Sequence, residues 1–233
     1  MNSPDPFSLA LSLIATRDPG LFSIIQLSLQ VSVTAVLVAS LLALPLGALI
    51  ALFRFPGRGL VITALNALMG LPPVVAGLIV YLSLSRAGPL GQFGLLFTPT
   101  AMVIAQTLLV LPIVAALTRQ AIEDLWEEYR EQLQSLGSGR IRAIPTLLWD
   151  ARITLITVVL AGFGRASAEV GAVLIVGGNI EGVTRVMTTA IALETSRGDL
   201  PLALALGLVL LGLVALINGT AYLLGGVSRR HMQ

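Results

Sequence analysis

From Pro19 to Phe53 the chain runs 35 residues without a charge. About 20 apolar residues cross the hydrocarbon of a bilayer. A chain that is 56% hydrophobic and 11% charged, with a mean hydropathy of +0.93, departs far from a soluble domain and belongs in lipid. There the backbone polar groups must be satisfied within the segment, as a helix does. The expected fold class is an all-α polytopic membrane protein.

Further apolar runs follow the same logic. Leu21 to Ala51 is expected as the first span, closed by the Phe-Pro-Gly turn between Arg54 and Arg58. Gly59 to Ser85 is the second, interrupted near its middle by Leu71-Pro72-Pro73. Two prolines remove backbone donors, so this helix is kinked or broken, either to line a pathway or only to improve packing. The third lies within Phe97 to Leu117, with Pro112 as another kink, a fourth begins after Asp150 and Arg152, and Leu200 to Val227 is the last. Ahead of them Phe7 to Ala15 is too short to span and is expected to lie at the membrane surface. No basic region precedes an apolar core there, so no secretory signal is expected.

Between Arg119 and Arg152 the pattern reverses: 34 residues hold 11 of the chain's 26 formal charges. Ile122, Leu125, Trp126, Tyr129, Leu133 and Leu136 recur at intervals of three and four, placing them on one helix face, with acidic residues on the others. Gly137-Ser138-Gly139 stops that helix, and Arg140 to Ile144 can form only a short second helix before Pro145. Such an island is either a solvated connection or the place where soluble partners dock.

Composition also excludes chemistry. All 14 basic residues are arginine, so there is neither a phosphate-loop lysine nor a Schiff-base lysine. If ATP drives this protein, another chain binds it. The absence of cysteine rules out disulfides and thiolate metal sites. A net charge of +2 without a basic, aromatic-interleaved stripe gives no reason to expect nucleic acid, and the single histidine, His231, lies at the chain end. No metal site and no catalytic residue are assigned.

Polar residues at membrane depth are the other candidates. Arg165 and Glu169 are four apart in an apolar stretch; on a helix they share a face, as a functional pair or as a neutralised lock between helices. Gly162, Gly164, Ala166, Ser167, Ala168 and Gly171 around them permit close approach. A polar interlude follows through Asp199, with Asn179, Thr184, Arg185, Thr188, Thr189 and Glu194, and Val186 to Leu193 is apolar enough for half a span. With the island inside the cell, nine of the 14 arginines fall inside, which gives about five spans with the N-terminus outside.

From Glu131, the order Glu-Gln-Leu, three residues, then Gly137 resembles the EAA loop (Glu-Ala-Ala-x-x-x-Gly) of ABC importer permeases. The two alanines are replaced by Gln132 and Leu133, and the family's proline thirteen residues after the glycine is Asp150 here, with Pro145 displaced earlier. The runs FPGRGL, LPPVVAGL, RAGPLG, FTPTAMVIAQTLLVLPIV and GRASAEVGAVLIVGGNI resemble permeases of the molybdate and tungstate branch, in order, over roughly Leu21 to Gly225. The segment GGNIEGVTRVMTTAIALETSRGDLPLALALG looks more like the tungstate permeases.

The resemblance implies a type I importer permease: an interfacial segment at 1–20, a transmembrane domain at 21–227 containing the coupling loop 119–152, and a cytoplasmic tail at 228–233. It implies a multi-pass protein of the prokaryotic plasma (inner) membrane. Two copies would form the pathway, two ABC ATPase subunits holding ATP and Mg would dock beneath, and an extracytoplasmic protein would deliver the oxyanion. The chain itself needs no cofactor and is not an enzyme. Glu131, Gly137, Arg140, Ile141 and Ile144 would couple to the ATPase. Arg165, Ser167, Glu169, Asn179, Thr188 and Thr189 are pathway or gate candidates, because hydroxyl and amide donors can pass a dianion without trapping it. Molybdate or sulfate are the alternative cargoes. A stand-alone secondary transporter using Arg165 and Glu169 and, less favoured by the residues, a membrane enzyme are the alternative classes.

Overall fold

The computed structural model describes residues 6–230, with side chains through residue 219; His231 and the end of the tail fall outside. Ten α-helices and no strand are present among the described residues: α1 Pro6–Ala15, α2 Pro19–Leu52, α3 Arg58–Met69, α4 Pro73–Leu84, α5 Pro99–Ser135, α6 Arg140–Asp150, α7 Arg152–Ser167, α8 Gly171–Gly177, α9 Met187–Arg197 and α10 Leu200–Arg230. A 3-10 turn at Gly91–Phe93 precedes α5.

Three helices are long and apolar enough to cross a membrane, α2, α5 and the Leu200–Gly219 part of α10, and two broken pairs, α3 with α4 and α6 with α7, raise the number to as many as five. The proline pair breaks its span outright: α3 ends at Met69 and α4 restarts at Pro73, where proline in the first turn loses no intrahelical bond. The third span and the island helix, expected as two elements, are one helix of 37 residues. At 1.5 Å per residue α5 is about 55 Å long, well beyond a ~30 Å hydrocarbon core. Pro112 is accommodated within it, and Pro45 likewise within α2.

The chain forms two compact units interleaved in sequence. Unit 1 comprises Met1–Ala35, Pro72–Gln106 and Ala166–Ile217. Its apolar core joins Ala10 of α1 and Leu21 of α2 to Met187 and Ala190 of α9 and to Ala205 and Leu206 of α10. The expected surface helix is therefore anchored through Ala10, Leu13 and Ile14, while Phe7 and Leu11 stay exposed. α4 packs on α8 so closely that a Cβ on Gly77 would lie 2.7 Å from the Cα of Ala172. The half-span expected at Val186 to Leu193 is the polar-ended α9, reaching Arg197.

Unit 2 comprises Val36–Leu71, Thr107–Arg165 and Asn218–Gln233. α2 and α5 cross at Gly47, whose absent Cβ would lie 2.6 Å from the carbonyl of Ala115, and α7 meets α5 at Gly162 against Val110 and Val114. Small residues bring helices together where lipid supplies no hydrophobic drive of its own. A second core joins Ala48, Ala51 and Leu52 of α2, Ile122 of α5, and Ala143, Leu147, Ala151 and Leu155 of the α6–α7 elbow, which bends by 75°.

Candidate coupling site and intramembrane polar cluster

In unit 2 the end of α5 is fixed by a glycine that the backbone requires. The amide of Ser138 donates to the carbonyl of Leu133 (2.9 Å) and that of Gly137 to Gln134 (3.0 Å), while Gly137 has φ of +73°. These are the two bonds of a Schellman cap, with glycine at its left-handed position. Nothing lies within 4 Å of a Cβ built there, so conformation and not space demands glycine. Glu131 stands exposed on the last turns before it.

α6 follows at Arg140 and continues through Pro145 to Asp150, longer than expected. Proline there removes one bond, to the carbonyl of Ile141, in a residue 70% exposed where water substitutes. Ala143 and Leu147 form the inner face of α6. Ile144 is half-buried against the same core, whereas Arg140, Ile141, Arg142 and Trp149 face outward, Trp149 being 72% exposed. Of the apolar stripe expected on α5, Ile122 is buried and Leu125, Trp126, Tyr129 and Leu133 pack against the core. Leu136 does not join them: it lies beyond the helix end and is 82% exposed. Beside the cap a groove of about 540 Å³ is lined by Phe53, Gly137, Gly139, Arg140, Ile141 and Arg142. The outward surface thus combines apolar side chains with guanidiniums on a short rigid helix, suited to insertion in a partner's groove.

An ion cluster braces this segment. Glu123 of α5 receives Arg58 Nη2 at 2.7 Å on Oε1 and the guanidinium of Arg119 on Oε2. Arg58 Nε also donates to the carbonyl of Ile50 (2.8 Å), tying the ends of α2 and α3 to α5. Only the Arg119–Glu123 half of the cluster has a sequence signal, the spacing of four on one helix. The Tyr129 phenol is held above its ordinary pKa, first by the Glu128 carboxylate, then by Asp150 and by burial, and stays neutral at physiological pH.

In unit 1 Glu169 does not sit on the helix that carries Arg165. α7 ends at Ser167, and Glu169 occupies the break before α8. Its amide bonds back to the carbonyl of Ala166 (3.2 Å), tightening the last turn, and its Oε1 accepts the amide of Ala172 (2.9 Å) at the next helix start. Only 2% exposed, Glu169 also accepts the Thr188 hydroxyl on its backbone carbonyl at 2.7 Å. Ser167 is half-buried at the end of α7.

Thr189, almost fully buried, spends its hydroxyl on the start of α9: it accepts the amide of Val186 (3.2 Å) and donates to the carbonyl of the same residue (3.1 Å). The Gly-Gly-Asn turn is present, with Gly178 at φ +72° and Asn179 at +51°. Asn179 donates to the carbonyl of Thr189 (3.4 Å), while its Oδ1 is buried without a hydrogen-bond partner. Glu169, Thr188, Thr189 and Asn179 therefore meet at one junction of α8 and α9.

Sequence reasoning assigned no role to two features nearby. Thr184 closes the turn by donating to the carbonyl of Gly177 (2.6 Å) and accepting the amide of Ile180 (3.0 Å). Glu194, 5% exposed, faces Arg185 at 3.9 Å and Arg197 at 3.3 Å. Arg185 and Glu194 are nine positions apart, a spacing with no helical meaning across the Val186 break, so the pair had no signal.

No family model matches the chain. Among curated proteins it is 44% identical over 216 residues to the tungstate uptake system permease TupB of Peptoclostridium acidaminophilum, covering 93% of this chain and 95% of that one. It is 40% identical over 203 residues to a probable anion ABC transporter permease of Haloferax volcanii, covering 85% and 88%. To TupB of Campylobacter jejuni it is 37% identical over 214 residues, covering 92% and 90%. Weaker matches carry sulfate and molybdenum transport permease names. Similarity of this extent, on an all-helical multi-pass chain, places the protein in the family of ABC importer permeases to which the tungstate uptake permeases belong.

Proposed function

We propose that this chain is the membrane subunit of an ATP-driven importer that carries tungstate into a prokaryotic cell across the plasma membrane. The carrying observation is its identity of 44% and 37%, over more than nine tenths of its length, to two permeases named for tungstate uptake. Two copies enclose the pathway, with the N-terminus outside. An extracytoplasmic protein presents the anion, and cytoplasmic ATPase subunits supply the energy, since a chain without lysine has no phosphate loop of the ordinary kind.

Coupling runs through α6. Closure of the ATPase pair moves α6, seated in its groove through Arg140 and Ile141, and the rigid cap at Gly137 passes the displacement to α5, which extends unbroken to Pro99. The junction of Glu169, Thr188 and Asn179 is where hydroxyl and amide groups would meet the anion. Removing and restoring this gene in its host, with cellular tungsten and molybdenum measured by elemental analysis, tests the assignment. Loss of tungsten alone supports it, and loss of molybdenum alone replaces the cargo.

A further inference from the structure

A second groove lies in unit 2, on the face of α7 opposite the coupling surface in character. Leu155, Ile156, Val159 and Leu160, at helical spacing after Arg152, form one wall, and Leu44 of α2 and Leu148 of α6 close it, leaving about 400 Å³. Every lining side chain is aliphatic except Arg152, which stands at the N-terminal end. Its guanidinium lies 5.1 Å from the ring centre of Trp149, and Nη1 donates to the Trp149 carbonyl at 2.8 Å. Arg152 and Trp149 are both exposed.

We infer that this groove binds one acyl chain of an anionic phospholipid, with the lipid phosphate on Arg152. Three observations select that occupant. From Arg152 to Leu160 the helix rises about 12 Å, close to the ~15 Å depth of one leaflet's hydrocarbon. The lining supplies no polar partner below Arg152, which suits a hydrocarbon tail and would leave a solute's polar groups unpaired. The single cation stands at the mouth beside an exposed tryptophan, the pairing that marks a membrane–water interface, and it favours a lipid of net negative charge over a zwitterion, whose phosphate is already balanced by its own trimethylammonium. A bound lipid would brace the α6–α7 elbow, which makes the bilayer's anionic lipid content a determinant of coupling.

The chain has two tryptophans, Trp126 and Trp149. In a Trp126→Phe background Trp149 is the single tryptophan of this chain, and the quenching absent from a Trp126→Phe/Trp149→Phe control is its own. The assembled importer, reconstituted in phosphatidylcholine, is titrated with phosphatidylglycerol or with further phosphatidylcholine, each brominated near the headgroup end of its chains. Quenching by the brominated phosphatidylglycerol is expected at about fivefold lower mole fraction, the preference one arginine confers at a membrane surface. Arg152→Gln is expected to erase the difference and Arg152→Lys to keep most of it. Equal quenching by both lipids in the unsubstituted protein, or an undiminished preference in Arg152→Gln, overturns the proposal. Should a second copy of the chain occupy the groove instead, Ile156→Cys forms a disulfide between copies and neither lipid quenches, which also overturns it. None of these readouts depends on the transported anion.

Discussion

Arg58 Nη2 lies 2.7 Å from Glu123 Oε1, joining the start of α3 to the middle of the charged end of α5. The same carboxylate receives Arg119, so one acid pairs with two guanidiniums, and all three side chains are less than one third exposed. Removing the acid leaves two like charges facing each other in a partly desolvated site. Glu123→Ala is expected to cost about 2 kcal/mol of stability, whereas Glu123→Asp, which keeps the charge, loses less. Thermal unfolding of the purified protein in detergent measures both.

Gly137 separates backbone conformation from bulk. With φ at +73° and open space around it, Gly137→Ala is expected to cost about 1 kcal/mol and Gly137→Val more, while Gly137→Asn is nearly neutral because asparagine visits this region readily. ATP hydrolysis without transport in the Val variant, with transport retained in Asn, is the expected pattern. Equal transport in all three contradicts a rigid cap.

Two glycines of similar surroundings in sequence should behave oppositely. A Cβ at Gly77 would lie 2.7 Å from the Ala172 backbone, and one at Gly164 meets nothing within 4 Å. Gly77→Ala should destabilise by about 1–3 kcal/mol through overpacking, and Gly164→Ala should be neutral or slightly stabilising. The yield of folded protein and its melting temperature decide.

At the junction, the role of Glu169 divides into charge and geometry. Glu169→Gln retains an oxygen for the Ala172 amide and the backbone carbonyl for Thr188, so folding should survive. Unchanged transport in this variant would make Glu169 a structural cap alone, whereas a rate changed by tenfold or so would show that its charge acts on the anion's passage. Thr188→Val, which removes the donor to the backbone carbonyl of the buried Glu169, should slow transport and cost about 1–2 kcal/mol of stability through the acceptor left unpaired.

The helical class, the spans and the cap at Gly137 were legible because charge-free runs and a glycine at a helix end carry local signals. Where local rules failed, tertiary structure or solvent had replaced a local partner. Pro145 does not end α6, since the carbonyl it orphans lies in an exposed residue. Leu136 keeps the helical period but falls past the last helical residue, Ser135, within the capping turn, so its exposure follows from the turn. The spacing of Arg165 and Glu169 suggests one continuous helix, yet α7 ends at Ser167 and Glu169 also caps the start of α8 through its carboxylate. Pairs such as Arg58 with Glu123 and Arg185 with Glu194 join separate elements, and spacing along a chain holds no information about them.

Proteoliposomes containing this chain, its ATPase and its binding protein test the central claim most directly, through tungstate uptake with and without internal ATP and with molybdate or sulfate as competitor. ATP-dependent tungstate uptake that excess molybdate and sulfate leave largely intact is the predicted result. Uptake that proceeds without ATP or without the ATPase subunits would contradict it and make the chain a transporter in its own right.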